Sequence, residues 1–224
     1  MADRFSHYVF DAYGTLFDVH SAVARHRAEI GPQADRLTEI WRTKQLEYTW
    51  VRSLMGAYQD FGAVTAAALD FAAARCGGLA PPLRAALLAA YQRLDAYPDA
   101  LPALRALKAQ GKVVAILSNG TPAMLEAAVQ SAGLAGSIDA ILSVDSLRTF
   151  KTAPEVYALA PARLGAMPGA ISFQSSNRWD VAGATKFGFR AVWINRGGAP
   201  DEYADYPPAL TLTSLAALSG VSAA

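Results

Sequence analysis

Short apolar segments alternate with helix-like segments through the second half of this chain, and that alternation constrains its fold more than any other feature. The segment 113–117 is apolar throughout, which is typical of a strand buried on both faces of a parallel sheet. Helix-like segments end at glycines such as Gly133 and Gly165, as helices often do. Alternating strands and helices form right-handed crossover units around a parallel sheet. We therefore predict strands at 8–10, 113–117, 140–143, 170–173 and 191–194, and helices at 101–110, 122–132, 154–164 and 179–187.

The stretch from residue 21 to about residue 94 is helical in pattern throughout. It contains side chains three or four residues apart, the spacing of one helix face, at Trp41, Gln45, Tyr48, Arg52 and Met55. Helix-like segments follow at 64–75 and 83–94, and Pro81 and Pro82 predict a break between them. The sequence therefore predicts the α/β class, with a Rossmann-like parallel-sheet core formed by residues 1–16 and 97–224. A helical cap, residues 17–96, would be inserted after the first strand.

The composition argues against several other classes of protein. The 224 residues include 20 Lys and Arg against 19 Asp and Glu, without a basic stripe for nucleic acid or a membrane surface. Cys76 is the only cysteine, so the chain forms no internal disulfide. No apolar run approaches the roughly 20 residues of a membrane span, and the first residues lack the hydrophobic segment of a signal peptide. We therefore expect a cytoplasmic protein with no nucleic-acid or membrane partner.

Polar side chains follow the predicted strands directly, and Lys151 lies a little beyond the strand at 140–143. Ligands of an open α/β sheet bind beyond the carboxyl ends of its strands, so these side chains should share one edge. Each alone has a structural explanation: Asp11 could form a turn, Lys151 could be a solvated surface lysine, and Asp180 could be a charge at a helix N-terminus. Together they resemble a nucleophile, its electrostatic support and a base. The set comprises Asp11, Thr15, Ser118, Asn119, Lys151, Ser175, Asn177 and Asp180.

These motifs resemble the haloacid dehalogenase superfamily over essentially the whole chain, and more narrowly the L-2-haloacid dehalogenases. Asp11, Ser118, Lys151 and Asp180 match the four superfamily motifs in order. The narrower resemblance is carried by residues 10–21, 41–42, 44–48, 116–120, 175–177, 179–180 and 186–189. It implies hydrolysis of short-chain L-2-haloalkanoic acids to D-2-hydroxy acids and halide, through an ester of Asp11 and with inversion of the substrate carbon. It also implies a homodimer.

Tyr13 stands where the phosphatases of the superfamily carry a second acid, two residues after the nucleophile. Those phosphatases bind magnesium through the nucleophile, the carbonyl of that later residue and an acid of the fourth motif. A tyrosine, with an ordinary pKa of about 10, cannot replace the acid that protonates a leaving group. Ser175 and Asn177 also lack the negative charge that a hard cation prefers. The resemblance therefore implies a reaction without a metal or other cofactor.

The resemblance also assigns catalytic roles residue by residue. Lys151 would neutralise and orient the nucleophile, with support from Tyr157. Asp180 would act as the base or would hold the hydrolytic water, and Ser175 and Asn177 would fix its position. The full catalytic set implied is Asp11, Thr15, Lys151, Tyr157, Ser175, Asn177 and Asp180.

A second set would bind the substrate. The resemblance implies that Ser118 lies near the substrate carboxylate and that Arg42 and Asn119 receive the departing halide. Without it, Leu46, Phe61 and Trp179 would be read as core residues, and Arg42 equally well as half of a surface salt bridge. The complete set is Tyr13, Arg42, Leu46, Phe61, Ser118, Asn119 and Trp179.

Three alternatives remain open at the level of sequence. A related hydrolase could open a small-ring 2-carboxylate such as azetidine-2-carboxylate, because that substrate also needs a carboxylate grip and an apolar pocket. A magnesium-dependent phosphatase is disfavoured by Tyr13. A non-catalytic protein could share the fold, since a fold does not determine a function.

Overall fold

A computed structural model describes residues 5–218 and contains a six-stranded sheet in which every neighbouring pair is parallel. The strand order is β3-β2-β1-β4-β5-β6. This architecture confirms the predicted α/β class with a parallel-sheet core. The strands are β1 (His7–Phe10), β2 (Val113–Ser118), β3 (Ala140–Ser143), β4 (Ile171–Ser175), β5 (Arg190–Ile194) and β6 (Leu210–Leu212).

Nine α-helices, joined in places by 3-10 turns, complete the described part of the chain. Five of them lie between β1 and residue 97, where the cap was predicted, and α6 follows before β2. The division of the chain into a core and a cap stays a prediction. Residues 1–4 and 219–224, which it assigns to the core, lie outside the described residues. The helices are α1 (Ser21–Arg25), α2 (Arg27–Ile30), α3 (Ala34–Met55), α4 (Phe61–Arg75), α5 (Pro81–Tyr91), α6 (Ala100–Ala109), α7 (Pro122–Ser131), α8 (Pro154–Leu164) and α9 (Arg178–Phe187).

The central strand β1 determines where a ligand can bind. Val9 pairs with Ala115 of β2 on one side and with Phe173 of β4 on the other. The chain leaves β1 for β2 in one direction and later returns to β4 in the other, so the strand order reverses between β1 and β4. Such reversal points open a crevice at the carboxyl ends of the strands. Asp11 lies there, and its backbone N–H donates to the carbonyl of Gln174 at 2.9 Å.

The long helix α3 packs on α4 through one buried face. Ala34, Leu37, Trp41, Gln45 and Thr49 form that face at spacings of three and four residues. The Trp41 indole N–H donates to the carbonyl of Thr65 at 2.9 Å, which satisfies its polar atom inside the packed interface. The last turns of α3 leave this face, and the side chains of Leu54 and Met55 are exposed. No helix within residues 5–218 is long and apolar enough to cross a membrane.

The predicted break between two helices is present at residues 76–80, between the end of α4 and the start of α5. Pro81 and Pro82 lie just after that break, in the first turn of α5, because proline is well tolerated where no intrahelical N–H bond is lost. Strand β6 was not predicted, since Leu210–Leu212 is short and only half-buried on its apolar positions. It pairs with β5 at the edge of the sheet, away from the crevice.

Candidate active site

Asp11, at the end of β1, receives hydrogen bonds on both carboxylate oxygens. Its Oδ1 accepts from Lys151 Nζ at 2.9 Å. Its Oδ2 accepts from Thr15 Oγ1 at 3.0 Å and from Asn177 Nδ2 at 2.8 Å, with a longer contact from Ser175 Oγ at 3.5 Å. All four of these side chains donate, so they suit an ionised carboxylate, which accepts hydrogen bonds at both oxygens. These residues come from three separate segments of the chain, as the predicted sheet edge required.

Lys151 lies between two buried carboxylates. Its ammonium donates to Asp11 at 2.9 Å and to Asp180 Oδ2 at 2.8 Å, and its side chain is 1% exposed. Burial alone lowers the pKa of Lys151, but the charges of Asp11 and Asp180 outweigh it and raise that pKa above its ordinary value. Lys151 therefore stays a cation at neutral pH.

Asp180 is buried near the start of α9 and faces the same ammonium. Burial raises its pKa, the charge of Lys151 opposes that shift, and the nearby Asp11 adds to it. The hydroxyl of Tyr157 donates to Asp180 Oδ1 at 2.8 Å. Gly183 lies against that hydroxyl, since a Cβ at this position would come within 2.5 Å of it. A side chain at residue 183 would therefore displace Tyr157 from Asp180.

Arg42 connects helix α3 to the edge of the sheet. Its Nη2 donates to the carbonyl oxygen of Tyr13 at 3.1 Å and to Asn177 Oδ1 at 3.2 Å. Its Nη1 donates to Gln45 Oε1 at 2.9 Å. Gly14 adopts a φ of +94° in the turn beneath the guanidinium, a conformation that side chains rarely permit. The turn after β1 and Arg42 thus meet beside Asn177, which also donates to Asp11.

The ring of Tyr13 is enclosed by aromatic side chains. Its centroid lies 5.2 Å from that of Phe61 and 5.6 Å from that of Tyr91, the latter in a stacked arrangement. Its hydroxyl is buried and hydrogen-bonds to none of the described residues. Burial raises the pKa of Tyr13 well above its ordinary value, with further contributions from Tyr91 and Asp11. Tyr13 therefore stays neutral and forms an aromatic wall with one unused hydroxyl.

A groove of about 420 Å³ adjoins this region. Its lining includes Leu46 and Trp179 together with Gly14, Arg42 and Asn177. The Trp179 ring makes an edge-on contact with Trp50 of α3, with 5.4 Å between centroids. Leu46 and Trp179, two of the predicted substrate-binding residues, thus line the same groove as Arg42.

The two polar residues at the end of β2, Ser118 and Asn119, contact different parts of the site. Asn119 Oδ1 accepts from the backbone N–H of Lys151 at 3.0 Å, which links β2 to the lysine segment. The hydroxyl of Ser118 accepts from the N–H of Gly120 at 3.2 Å. Gly120 itself leaves room for Tyr13, since a Cβ there would lie 2.9 Å from the Tyr13 ring.

The predicted catalytic residues come together, although three contacts differ from those expected. Tyr157 contacts Asp180, so any support that it gives Lys151 is indirect. Ser175 and Asn177 donate to Asp11, the nucleophile candidate, rather than fixing Asp180. The difference arises because residues 175 and 177 flank the end of β4, which neighbours β1.

Sequence reasoning missed a buried polar group behind Arg42, formed by Gln45, Thr65 and Tyr91. The sequence did indicate a contact between Gln45 and Arg42, because helical residues three apart share a face. Thr65 and Tyr91 carry no local signal, because their partners lie 20 and 46 residues away in sequence.

Comparison with known proteins identifies the family. The family model for haloacid dehalogenase-like hydrolases matches residues 5–188. The chain belongs to this family. It is 48% identical over 211 residues to (S)-2-haloacid dehalogenase 1 of Pseudomonas sp. (strain CBS-3), covering 94% of this chain and 93% of that protein. It is 46% identical over 224 residues to (S)-2-haloacid dehalogenase 4A of Burkholderia cepacia, with coverage of 97% and 95%.

Solved structures of dehalogenases have the same fold. A dehalogenase crystal structure that is 45% identical superimposes with a TM-score of 0.97, covering 99% of this haloacid dehalogenase-like hydrolase and 98% of the other chain. The L-2-haloacid dehalogenase of Xanthobacter autotrophicus with chloropropionic acid covalently bound is 38% identical, with a TM-score of 0.88 and coverage of 97% and 98%. The predicted resemblance and enzyme class, a hydrolase acting on carbon–halide bonds, are confirmed.

Proposed function

We propose that this enzyme hydrolyses short-chain L-2-haloalkanoic acids to D-2-hydroxy acids and halide through an ester of Asp11. Hydrolytic dehalogenation itself is supported by the similarity to (S)-2-haloacid dehalogenases and to a dehalogenase structure with an intermediate complex. The observation that carries the finer proposal is the environment of Asp11, where donors hold both oxygens and Lys151 supplies a buried cation. These contacts orient a carboxylate for attack.

In the first step, a carboxylate oxygen of Asp11 attacks the carbon that carries the halogen, from the face opposite the halogen. The new C–O bond forms as the carbon–halogen bond breaks, and the halide leaves with the bonding electron pair. A halide is a weak base, so the departure needs no proton donor. Burial raises the pKa of Tyr13, so its ring serves as a neutral aromatic wall.

In the second step, water attacks the carboxyl carbon of Asp11, and Asp180 accepts a proton from that water. The acyl C–O bond of the ester then breaks, the leaving alkoxide takes up the proton held by Asp180, and Asp11 loses the second proton of the water to become a carboxylate again. The bond between the substrate carbon and its new oxygen stays intact. The inverted configuration is therefore retained in the D-2-hydroxy acid. Burial raises the pKa of Asp180, which makes its carboxylate a stronger base than that of an ordinary aspartate.

Metal-independent catalysis is supported by the hydrogen bonds to the oxygens that magnesium would need, namely the carboxylates of Asp11 and Asp180 and the carbonyl of Tyr13. Lys151 bridges Asp11 and Asp180. The carbonyl of Tyr13 accepts from Arg42 at 3.1 Å and lies 3.3 Å from the Asn177 amide nitrogen. A divalent cation among these donors would meet an ammonium and a guanidinium, so the residues present do not fit a magnesium site.

The residues that would bind the substrate lie next to these contacts. Arg42 offers a permanent cation beside the groove, and Asn119 is oriented by its bond to the Lys151 backbone. We assign these two to the departing halide and Ser118 to the substrate carboxylate. The apolar part of the acid would lie among the side chains of Tyr13, Leu46, Phe61 and Trp179.

A halide-release assay tests this proposal. L-2-chloropropionate should release chloride and yield D-lactate, the D enantiomer should not react, and a chelator should leave the rate unchanged. Ring opening of azetidine-2-carboxylate without chloride release would instead support the other hydrolase. Magnesium-dependent turnover of a phosphate ester would contradict the metal-free mechanism.

The rate should also depend on pH through Asp180. A base must be deprotonated, so kcat should fall as the pH falls through the raised pKa of Asp180. The acid limb of kcat is therefore expected at a higher pH than for an ordinary aspartate. A kcat profile measured with saturating L-2-chloropropionate checks this, and a fully active enzyme at the ordinary aspartate pKa would exclude Asp180 as the base.

A homodimer and a cytoplasmic location belong to the same proposal. The homodimer is supported by apolar side chains exposed along the second half of α3, where Leu54 is 88% and Met55 65% exposed. Partners would otherwise be limited to the haloacid and the halide.

A further inference from the structure

Gln45 is a buried polar residue without a role in the mechanism above. Its side chain is 1% exposed in the packed face of α3. Its Oε1 accepts from Arg42 Nη1 at 2.9 Å and from the hydroxyl of Tyr91 at 3.1 Å. Its Nε2 donates to Thr65 Oγ1 at 2.7 Å. Burying an amide is unfavourable unless its polar atoms are paired, and here both ends are.

Only one orientation of this amide satisfies its neighbours. A guanidinium can only donate, so the Gln45 oxygen must face Arg42. The hydroxyl of Thr65 donates to the carbonyl of Phe61 at 2.6 Å and therefore accepts from Gln45. A flipped amide would place two donors against each other at Arg42. Thr65 thus fixes which atom of Gln45 the guanidinium meets.

The other side of the same guanidinium faces the active site. Arg42 Nη2 contacts the Tyr13 carbonyl and Asn177 Oδ1, and Asn177 in turn donates to Asp11. One Arg42 nitrogen is therefore held by Gln45 from behind while the other reaches the residues around the nucleophile. A planar guanidinium that is fixed at one nitrogen has little freedom at the other.

We propose that Gln45 is a positioning residue that holds the Arg42 guanidinium toward the substrate anion, with its own orientation set by Thr65. This proposal rests on the proposed function, because it takes Arg42 as the cation that attracts the bound haloacid anion as well as the halide that later departs. Gln45 also keeps the charge of Arg42 available, since a neutral acceptor orients the cation without neutralising it.

Two substitutions separate orientation from charge. Gln45→Met keeps a similar volume but removes the acceptor, so Arg42 loses its fixed contact. Gln45→Glu is isosteric but places a carboxylate beside the guanidinium, which competes with an anionic substrate. In both, kcat/KM for L-2-chloropropionate should fall by about tenfold or more, the scale of a hydrogen bond to a charged group, with the larger part in KM. Gln130→Glu, at an exposed position of α7, adds the same charge elsewhere and should change neither parameter.

Thr65 provides a conservative rescue. Thr65→Val removes the hydroxyl that orients Gln45 and should raise KM, whereas Thr65→Ser keeps the hydroxyl and should restore KM to within about twofold of the original enzyme. A purely structural role of Gln45 and Thr65 would instead lower the melting temperature and the fraction of active enzyme, which reduces the apparent kcat and leaves KM unchanged. Values of KM within twofold of the original enzyme in both folded Gln45 variants would overturn the proposal.

A crystal structure of the Gln45→Met enzyme gives a readout that does not depend on turnover. Arg42 should lose its contacts to Tyr13 and Asn177, and an unmoved guanidinium would overturn the proposal. If the unsubstituted enzyme releases no halide, the proposed function fails, while this structure still decides whether Gln45 positions Arg42. Should the methionine variant fail to fold, the Gln45→Glu structure serves the same purpose, with Arg42 expected to be drawn toward residue 45.

Discussion

Replacing Asp11 with asparagine should reduce halide release by about 10⁴-fold or more, as expected when a covalent nucleophile is lost. The neutral amide is a poor nucleophile and cannot form the ester that water then hydrolyses. The substitution is isosteric, but the surroundings offer only donors: Lys151 faces one oxygen, and Thr15 and Asn177 face the other. The new NH₂ group must oppose one of them. Chloride release from L-2-chloropropionate measures the effect.

A matched control distinguishes chemistry from folding. Asp35→Asn removes a carboxylate from an exposed pair with Arg27, where the aspartate side chain is 79% exposed, and should leave activity unchanged. The Asp11 variant should also be less stable by roughly 1–3 kcal/mol because of the opposed donors. Thermal unfolding checks whether it is folded under assay conditions. Undiminished dehalogenation by a folded Asp11→Asn enzyme would refute the assigned nucleophile.

Removing the cation of Lys151 should be nearly as damaging. Lys151→Met leaves Asp11 and Asp180 buried with no positive charge between them. Breaking a buried ion pair by removing one partner costs about 3–5 kcal/mol of stability. Activity should fall by about 10³-fold, the upper scale for losing one electrostatic contact at a reacting group. Denaturant unfolding and chloride release measure the two effects separately.

Lys108→Met is the comparison for this variant. Lys108 pairs with Asp139, and both side chains are about one-third exposed. Its loss should cost roughly 1 kcal/mol or less, because solvent screens an exposed pair. Equal destabilisation by the two substitutions would show that the charge of Lys151 is not needed to bury its two carboxylates. A Lys151→Met enzyme with full activity would remove this residue from the mechanism.

The sequence predicted the sheet well because its strands carry a strong local signal. β2 is apolar until its last residue, Ser118, and Asn119 follows at once. A parallel sheet then places such strand ends at one edge without any knowledge of side-chain packing. The same rule brought Asp11, Lys151 and Asp180 within reach of one another.

The contacts within the site could not be derived in this way. Whether Tyr157 meets Lys151 or Asp180 depends on how α8 packs against α9, which is a matter of tertiary packing. The Gln45, Thr65 and Tyr91 group depends on the packing of three helices of different segments. Strand β6 was missed for another reason, since three residues at a sheet edge carry too little pattern to be distinguished from a loop.

Arg42 lies in the wall of the groove that adjoins the buried nucleophile. Asp11 is only 5% exposed, and the groove lined by Leu46 and Trp179 has Arg42 and Asn177 in its wall. Arg42 and Asn177 hydrogen-bond to each other in that wall, and Asn177 also donates to Asp11. On the proposed function, a haloacid anion would take the place of the Tyr13 and Asn177 acceptors at Nη2, while the bond from Nη1 to Gln45 keeps the guanidinium in place. Substrate binding would then exchange hydrogen-bond partners at a fixed cation and need no large movement of α3.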